Sequence, residues 1–230
     1  MSNVGFRIYA KINRPSKELV EQFRGLPVAN IADEMNRLSC VDARLKPVNG
    51  IPLLGTAFTV KARVGDNLML HRAIDMAQPG DIIVVDGQGD LANALIGENM
   101  MMWAEKREVA GMIIDGAVRD IESLKEMKFP VYAAGVQPNG PYKEGPGEIN
   151  VPVCCGGIIV SPGDIVVGDA DGIVIIKPED AVDVLEKAKG KLKKEIATRE
   201  AITSGTWNRS AYTEEALKKM GCEIIDDVYK

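Results

Sequence analysis

The sequence predicts an α/β fold, and three observations carry that prediction. Short β-rich runs recur at Ile82-Ile83-Val84-Val85, Gly111-Met112-Ile113-Ile114 and Val131-Tyr132-Ala133-Ala134. Stretches of helical character separate them, at roughly 97–107 and 118–127. Turn residues bound the runs: Gln78-Pro79-Gly80-Asp81 feeds the first, and glycine follows soon after each. Strand, helix, strand, helix, strand is the order of an α/β centre.

The elements follow in chain order. Residues 16–38 read as two helical pieces broken at Gly25-Leu26-Pro27, with Ser16 as N-cap and Leu19, Val20 and Phe23 on one face. Gly55 to Arg63 has strand-like spacing of Thr, Phe and Val, and Asn67 to Ala77 reads as a helix that stops before Pro79. The strand over 82–87 ends at glycine. Its entry phrase returns as Ser161-Pro162-Gly163-Asp164 before Ile165-Val166-Val167, an echo too short for a repeat protein. Residues 136–176, rich in Gly, Pro and short Val/Ile runs, read as β-structure. From Pro178 to about Ser204 a polar helix follows, with a thin stripe of Val182, Leu185, Leu192 and Ile196. So narrow a seam suits packing against another subunit. The reading is one domain over 1–230, with a core at about 25–176 and a C-terminal helical arm at 178–230.

Composition limits function. The 230 residues are 46% hydrophobic, enough for a substantial core. With 28 Lys and Arg against 33 Asp and Glu, the net charge of −5 argues against general nucleic-acid binding, which needs cations on phosphates. No apolar run approaches the roughly 18 residues of a membrane helix, and the first residues, MSNVGFRIYAKINRPS, lack signal-peptide character. A cytoplasmic protein is expected. Cys40, Cys154, Cys155 and Cys222 form no C-x-x-C pair and are expected as free, buried thiols. His71 is the one histidine, so a histidine-rich metal site cannot come from this chain, and a helix-surface or partly buried role is expected for it. A metal held here would take oxygen ligands, which favours Mg²⁺ or Mn²⁺.

Two strand ends carry the candidate chemistry. One is Asp86-Gly87-Gln88-Gly89-Asp90-Leu91, running on to Gly97-Glu98-Asn99-Met100. If a helix starts at Gly97, the amides of Glu98, Asn99 and Met100 are unpaired and suit a carboxylate. Alternatively Gly97 lies inside one longer helix, 91–106. The other is Asp115-Gly116-Ala117-Val118-Arg119-Asp120. An arginine there can clamp a carboxylate or carbonyl oxygen and the aspartate can hold a divalent cation, or the pair is simply a helix N-terminus. Glu98 and Arg119 are one helix and one strand apart, which puts both at one sheet edge. Gly87-x-Gly89 is only half of a dinucleotide fingerprint, with Ala92 at the third glycine position and no fitting acidic residue beyond. NAD, FAD and S-adenosylmethionine therefore have no support.

The phrases DGQGDLANALIGENM and GMIIDGAVRD, together with PVANIADEMNRL, GTAFTVKARVGDNLMLHRAI and SPGDIVVGDADGIVII, resemble one family over about residues 25–200. It contains 4-hydroxy-4-methyl-2-oxoglutarate/4-carboxy-4-hydroxy-2-oxoadipate aldolases and the regulator of ribonuclease E activity A. The resemblance implies a compact α/β/β/α sandwich, a homotrimer or hexamer, and a site between subunits. It implies that Arg119 binds the pyruvyl part, that Asp120 is the protein ligand of Mg²⁺ or Mn²⁺, and that Gly97, Glu98, Asn99, Met100 and Arg119 bind substrate. Glu98 would hold a metal-bound water, and Arg119 and Glu98 would be the catalytic pair. Gln88 departs from the glycine common between Gly87 and Gly89. The regulator branch lacks the aspartate after the arginine, so Glu98 with Asp120 favours the aldolase branch.

The expected activity is therefore a class II pyruvate aldolase acting on a 4-hydroxy-2-keto dicarboxylic acid, with oxaloacetate decarboxylation as a side activity. Glu195, from a neighbouring copy's arm, is a candidate for proton transfer. Two rivals stand beside it. One is a Schiff-base aldolase built on a buried lysine such as Lys61. The other is a non-catalytic trimeric regulator that binds and inhibits a ribonuclease.

Overall fold

The computed structural model describes residues 3–228. The chain divides into two compact units, Met1–Lys189 and Gly190–Lys230. In chain order the elements are β1 (Phe6–Ile8), α1 (Lys17–Glu21), α2 (Val28–Glu34), β2 (Lys46–Pro47), β3 (Leu53–Ala62), α3 (Leu68–Met76), β4 (Asp81–Ile96), α4 (Glu98–Lys106), β5 (Gly111–Val118), α5 (Ile121–Glu126) and β6 (Val131–Val136). They continue as β7 (Gly147–Ile149), β8 (Val153–Cys155), β9 (Ile158–Val160), β10 (Ile165–Gly168), β11 (Ile173–Ile176), α6 (Ala181–Thr203), a 3₁₀ turn (Ser210–Tyr212) and α7 (Glu214–Lys219). No helix among the described residues is long and apolar enough to cross a membrane.

Strands β3, β4, β5 and β6 run parallel and adjacent, joined through α3, α4 and α5. Along its other edge β3 is shared: Leu53–Thr56 pair antiparallel with β10, and Val60–Ala62 pair antiparallel with β7. β10 in turn pairs with β11.

Strand alternation sorts the side chains into layers. Phe58, Val60, Ile83, Val85, Met112 and Ile114 face α3, α4 and α5 and pack with Leu70, Ile74, Met101 and Leu124. Their alternates Ala57, Ile82, Val84 and Ile113 face the second β-layer, meeting Val153, Val160, Val166 and Ile175. The far side of that layer, Ile165, Val167, Val174 and Ile176, packs on Val20, Phe23, Ile31, Val184 and Leu185 from α1 and the turn after it, α2 and α6. Helices, sheet, second β-layer, helices: this is the α/β/β/α arrangement expected.

Local chemistry explains several boundaries. Ser16 accepts a hydrogen bond from the Leu19 amide, as an N-cap should. The two Pro-Gly-Asp turns share one device. Asp81 accepts from the Gln78 amide at 2.8 Å and Asp164 from the Ser161 amide at 2.7 Å. Each buried aspartate also meets a cation, Arg14 for Asp81 and Lys177 for Asp164. α2 starts at Pro27 with no side-chain cap of its own, and its first amide, Val28 N–H, is taken instead by Asp169 from across the fold.

Other expectations are corrected. β4 does not stop at glycine but continues to Ile96, with register shifts between Asp86 and Asp90, Asp90 and Ala94, and Ala94 and Ile96. Gln88 and Gly89 both have positive φ, 59° and 70°, which bends the chain out and back. This excludes a helix over 91–106. Arg119 and Asp120 stand between β5 and α5, so α5 is shorter than the 118–127 stretch expected. The buried stripe of α6 is Ala181, Val184, Leu185 and Ala188; Val182 is exposed. Cys155 alone is a buried thiol, whereas Cys40, Cys154 and Cys222 are free and exposed.

In the second unit, the remainder of α6 carries the Glu195–Arg199 ion pair at 3.3 Å. Arg209 stacks over the rings of Trp207 and Tyr212, at 4.9 and 5.3 Å.

Candidate active site

β4 and β5 are adjacent and parallel, so their carboxyl ends, Ile96 and Val118, open side by side. Beyond them lies a cavity of about 410 Å³, lined by Asn67 and His71 of the α3 region, Gly97, Asn99 and Met100 at the start of α4, Arg119 and Asp120 after β5, and Lys143 from the loop after β6. This size falls within the range of small-molecule sites.

Gly97 is the N-cap of α4 in an extended conformation, so the helix starts where one alternative placed it. Its lack of a side chain has a steric reason. A Cβ at this position would lie 2.3 Å from Asp120 Oδ2 and 3.1 Å from Arg119 Cγ. Glycine thus lets two strand ends close on one another. Asp120 uses the contact: its Oδ2 accepts from the Glu98 amide at 3.0 Å. The Arg119 amide in turn donates to Ile96 O at 3.0 Å. Asp120 itself sits at φ 60°, ψ 41°, the left-handed region that aspartate tolerates better than most residues. It makes no side-chain cap to its own helix. It is the N-cap position of α5, and its carboxylate serves the start of α4 instead.

The charges are specific. Arg119 Nε lies 3.8 Å from Asp120 Oδ2, with both side chains nearly half exposed. The opening amides of α4 point toward the dipole's positive end. The Glu98 amide is taken by Asp120; those of Asn99 and Met100 follow it in the same first turn. Asn67 is buried and donates to Leu95 O at 2.8 Å, while its Oδ1 has no protein partner. At His71, partial burial lowers the imidazole pKa foremost; the charge of Lys143 lowers it further and that of Asp75 opposes.

The site brings together Gly97, Asn99, Met100, Arg119 and Asp120 as the spacing suggested. Glu98 contributes its amide, and its side chain is not part of the cavity lining. Lys61 is not there. It is exposed on the sheet face opposite α3 and α4, in register between Glu148 and Asp86, because it falls on the alternate positions of β3. A buried Schiff-base lysine at Lys61 is thereby excluded. Asn67 and Lys143 were not anticipated, and His71 was expected as an ordinary helix residue. Their sequence signal is weak, since they come from a helix start and a loop remote from the glycine-rich phrases.

For a divalent cation this cavity offers one carboxylate, Asp120. Among the described residues no group of three or more His, Cys, Asp or Glu converges on one point. A cation would have one carboxylate, Asp120, with water and ligand oxygens completing its shell, which is the habit of Mg²⁺.

A family model described as RraA-like, Aldolase/RraA, matches residues 28–175, more than half of the chain. The chain belongs to the RraA-like family. Arg119 and Asp120 and the whole start of α4 lie within the matched segment. A relative from Halalkalibacterium halodurans, named "Putative 4-hydroxy-4-methyl-2-oxoglutarate aldolase", is 37% identical over 201 residues, which are 87% of this chain and 96% of the relative. Among solved structures, a protein from Pseudomonas syringae has a TM-score of 0.76 at 24% identity, covering 84% of this chain and 96% of its own. That likeness concerns the fold. The RNA-processing inhibitor RraA from Thermus thermophilis has a TM-score of 0.61 at 29% identity, covering 66% of this chain and 92% of its own. RraA-like relatives thus carry both aldolase and inhibitor names.

Proposed function

We propose that this RraA-like protein is a divalent-metal-dependent class II pyruvate aldolase. Its substrate is a 4-hydroxy-2-keto dicarboxylic acid of the 4-hydroxy-4-methyl-2-oxoglutarate type, with oxaloacetate decarboxylation as a side activity. One observation carries the reading: Asp120 is fastened to the Glu98 amide beside Arg119, in a cavity at the ends of two parallel strands. A site that presents one carboxylate and one guanidinium across a glycine suits a keto acid, whose adjacent oxygens need both a cation and a hydrogen-bond donor.

Asp120 would hold Mg²⁺ or Mn²⁺, which would supply Lewis acidity toward the bound keto acid. Arg119 donates to the keto oxygen and stabilises the negative charge that develops there. The Asn99 and Met100 amides orient the carboxylate. In the reaction the 4-hydroxyl loses its proton, the C3–C4 bond breaks, and C4 becomes a carbonyl. The electron pair passes to C3 and the keto oxygen, and C3 then takes up a proton to give pyruvate. A water accepts the hydroxyl proton, and for Glu98 to hold that water its side chain must turn in from its present place outside the cavity lining. The proposal includes a homotrimer or hexamer, with Glu195 of a neighbouring copy as an assisting acid.

The test is pyruvate release from 4-hydroxy-4-methyl-2-oxoglutarate and from oxaloacetate, with Mg²⁺ and then with EDTA, for the wild type and Asp120→Ala. Turnover that needs the metal and vanishes in the variant supports the reading. Absence of turnover of both compounds by metal-supplied wild type overturns it.

The name of the Thermus structure favours one other reading, a non-catalytic regulator that binds a ribonuclease. It requires a ribonuclease complex that survives Asp120→Ala. It also leaves the Asp120–Glu98 fastening without a role.

A further inference from the structure

Two helices beside the cavity begin on residues suited to capping, and neither residue caps its own helix. Asp120, the N-cap of α5, gives its carboxylate to the Glu98 amide. Asn67, the N-cap of α3, is 2% exposed and makes no side-chain cap bond either. Asparagine is favoured at that position because its side-chain oxygen can accept from the first turn. At α3 the neighbouring residue does this work: Asp66 Oδ1 accepts from the Leu68 amide at 2.9 Å. The Asn67 side chain is spent elsewhere.

Its Nδ2 donates to Leu95 O at 2.8 Å and to Met100 Sδ, a weak acceptor, at 3.3 Å. A carbonyl oxygen only accepts, so the NH₂ end of the amide must face Leu95. The two partners bracket the stretch from Leu95 to Met100, where β4 ends and α4 begins. Within the bracket, Ile96 O accepts from the Arg119 amide and the Glu98 amide donates to Asp120 Oδ2, both at 3.0 Å. The joint after β5 thus holds the middle of the stretch, and Asn67 holds its two ends. Gly97, Asn99 and Met100 of this stretch line the cavity. The support is itself anchored. The Asn67 amide donates to Tyr142 O at 3.0 Å, and its carbonyl accepts from the His71 amide at 3.1 Å. Asp66 reinforces the first of these contacts, its Oδ2 accepting from the Glu144 and Gly145 amides at 2.7 and 2.8 Å. A side chain locked by burial and by its backbone's own bonds holds its neighbours more firmly than one on a loose loop.

We propose that Asn67 is a positioning residue of this site: it sets the turn at Gly97 so that the Asn99 and Met100 amides are in place for the carboxylate of the keto acid. The inference rests on the aldolase reading for the identity of that ligand, whereas the hold on the turn stands on the hydrogen bonds alone. Asn67 takes no part in breaking the bond. It acts through the backbone of α4.

Two variants and two readouts test this. Asn67→Ser keeps a residue favoured at an N-cap and is too short to reach Leu95 O. Asn67→Asp keeps the shape and puts an oxygen where the donor was. The first readout is hydrogen exchange resolved at single amides. In both variants the Glu98 amide, and the Met101 amide that donates to Gly97 O at 3.2 Å, are expected to exchange about 10-fold faster, the scale of one lost hydrogen bond. The amides of β3 and β10 should keep wild-type rates. The second readout is calorimetry with pyruvate, which has no bond for the aldolase to cleave. With Mn²⁺ supplied, pyruvate is expected to bind Asn67→Ser about 10-fold more weakly than the wild type, while affinity for Mn²⁺ alone stays within about twofold. Unchanged exchange at Glu98 and Met101 overturns the proposal. So does faster exchange throughout the sheet, the mark of a residue needed only for folding, and so does unchanged pyruvate affinity. A wild type that neither binds nor releases pyruvate sinks the aldolase reading, and the exchange rates then decide the Asn67 hold by themselves.

Discussion

Asp120 Oδ2 accepts a hydrogen bond from the amide of Glu98 at 3.0 Å, so the joint between β5 and α5 is fastened to the joint between β4 and α4. Residues 22 positions apart in the chain become immediate neighbours. The contact exists only because Gly97 leaves room for it. It also leaves the aspartate in a left-handed conformation, held by structure outside its own helix.

Gly97→Ala puts a methyl group 2.3 Å from Asp120 Oδ2. The backbone at this position is extended and accepts alanine, so the damage is confined to the Arg119–Asp120 pair. We expect kcat/KM for pyruvate release to fall by about 100-fold or more, the usual consequence of an ångström-scale displacement at a reacting centre. The far-UV circular dichroism should stay native. An active variant with unchanged kcat/KM would mean that the close approach is not needed.

Arg119→Lys keeps the charge and loses the planar fork. If the guanidinium acts on the developing oxyanion, kcat should fall by about 100-fold with a smaller change in KM. A change confined to KM would assign Arg119 to uniform substrate binding. Steady-state kinetics on one substrate at saturating Mg²⁺ separates the two.

Asp86 predicts a pH signature in stability. It lies within β4, just before the bend at Gln88 and Gly89, opposite Asp115 in register, and is buried. Burial raises its pKa foremost; the Gln88 and Cys154 amides oppose, the nearby Asp115 charge adds, and Lys61 opposes. The folded protein therefore holds this proton to higher pH than the unfolded chain. Stability from this group is largest in acid and is lost as pH rises from about 4, the unfolded value, through the raised folded value. Asp86→Asn removes the buried charge, so its melting temperature should exceed that of the wild type at neutral pH and converge with it in acid. A gap that is constant with pH, or reversed, would refute the assignment.

Ser16→Ala removes the cap on α1. Denaturant unfolding should show a loss of about 1 kcal/mol. Pyruvate release should be unaffected, since Ser16 is outside the cavity lining. A loss of activity in step with stability would show that α1 matters to the site.

Much was legible from local patterns. The β-branched runs at 82–85 and 111–114 are strands because both faces of the sheet are covered, so every position rewards an apolar side chain. The Pro-Gly-Asp turns announce themselves because the aspartate satisfies an amide three residues back. Ser16 is readable for the same reason. The continuation of β4 past Gly89 was not, since Gln88 at positive φ and the glycines beside it look like the end of a strand. What prolongs it is pairing with β5, which no local pattern reports.

The glycine and acidic phrases around Gly97 and Arg119-Asp120 announced part of the site in the chain itself, because short-range rules govern strand ends and helix starts. The rest of the lining came from packing. His71 reaches the cavity because α3 covers the sheet, and Lys143 because buried Asp66 holds its loop against α3. Those contacts join residues about 78 positions apart, as Asp66 is from Glu144, and their geometry is set by which layers bury which faces. Local sequence can name a charged side chain; where its charge ends up is settled by long-range burial and hydrogen bonding.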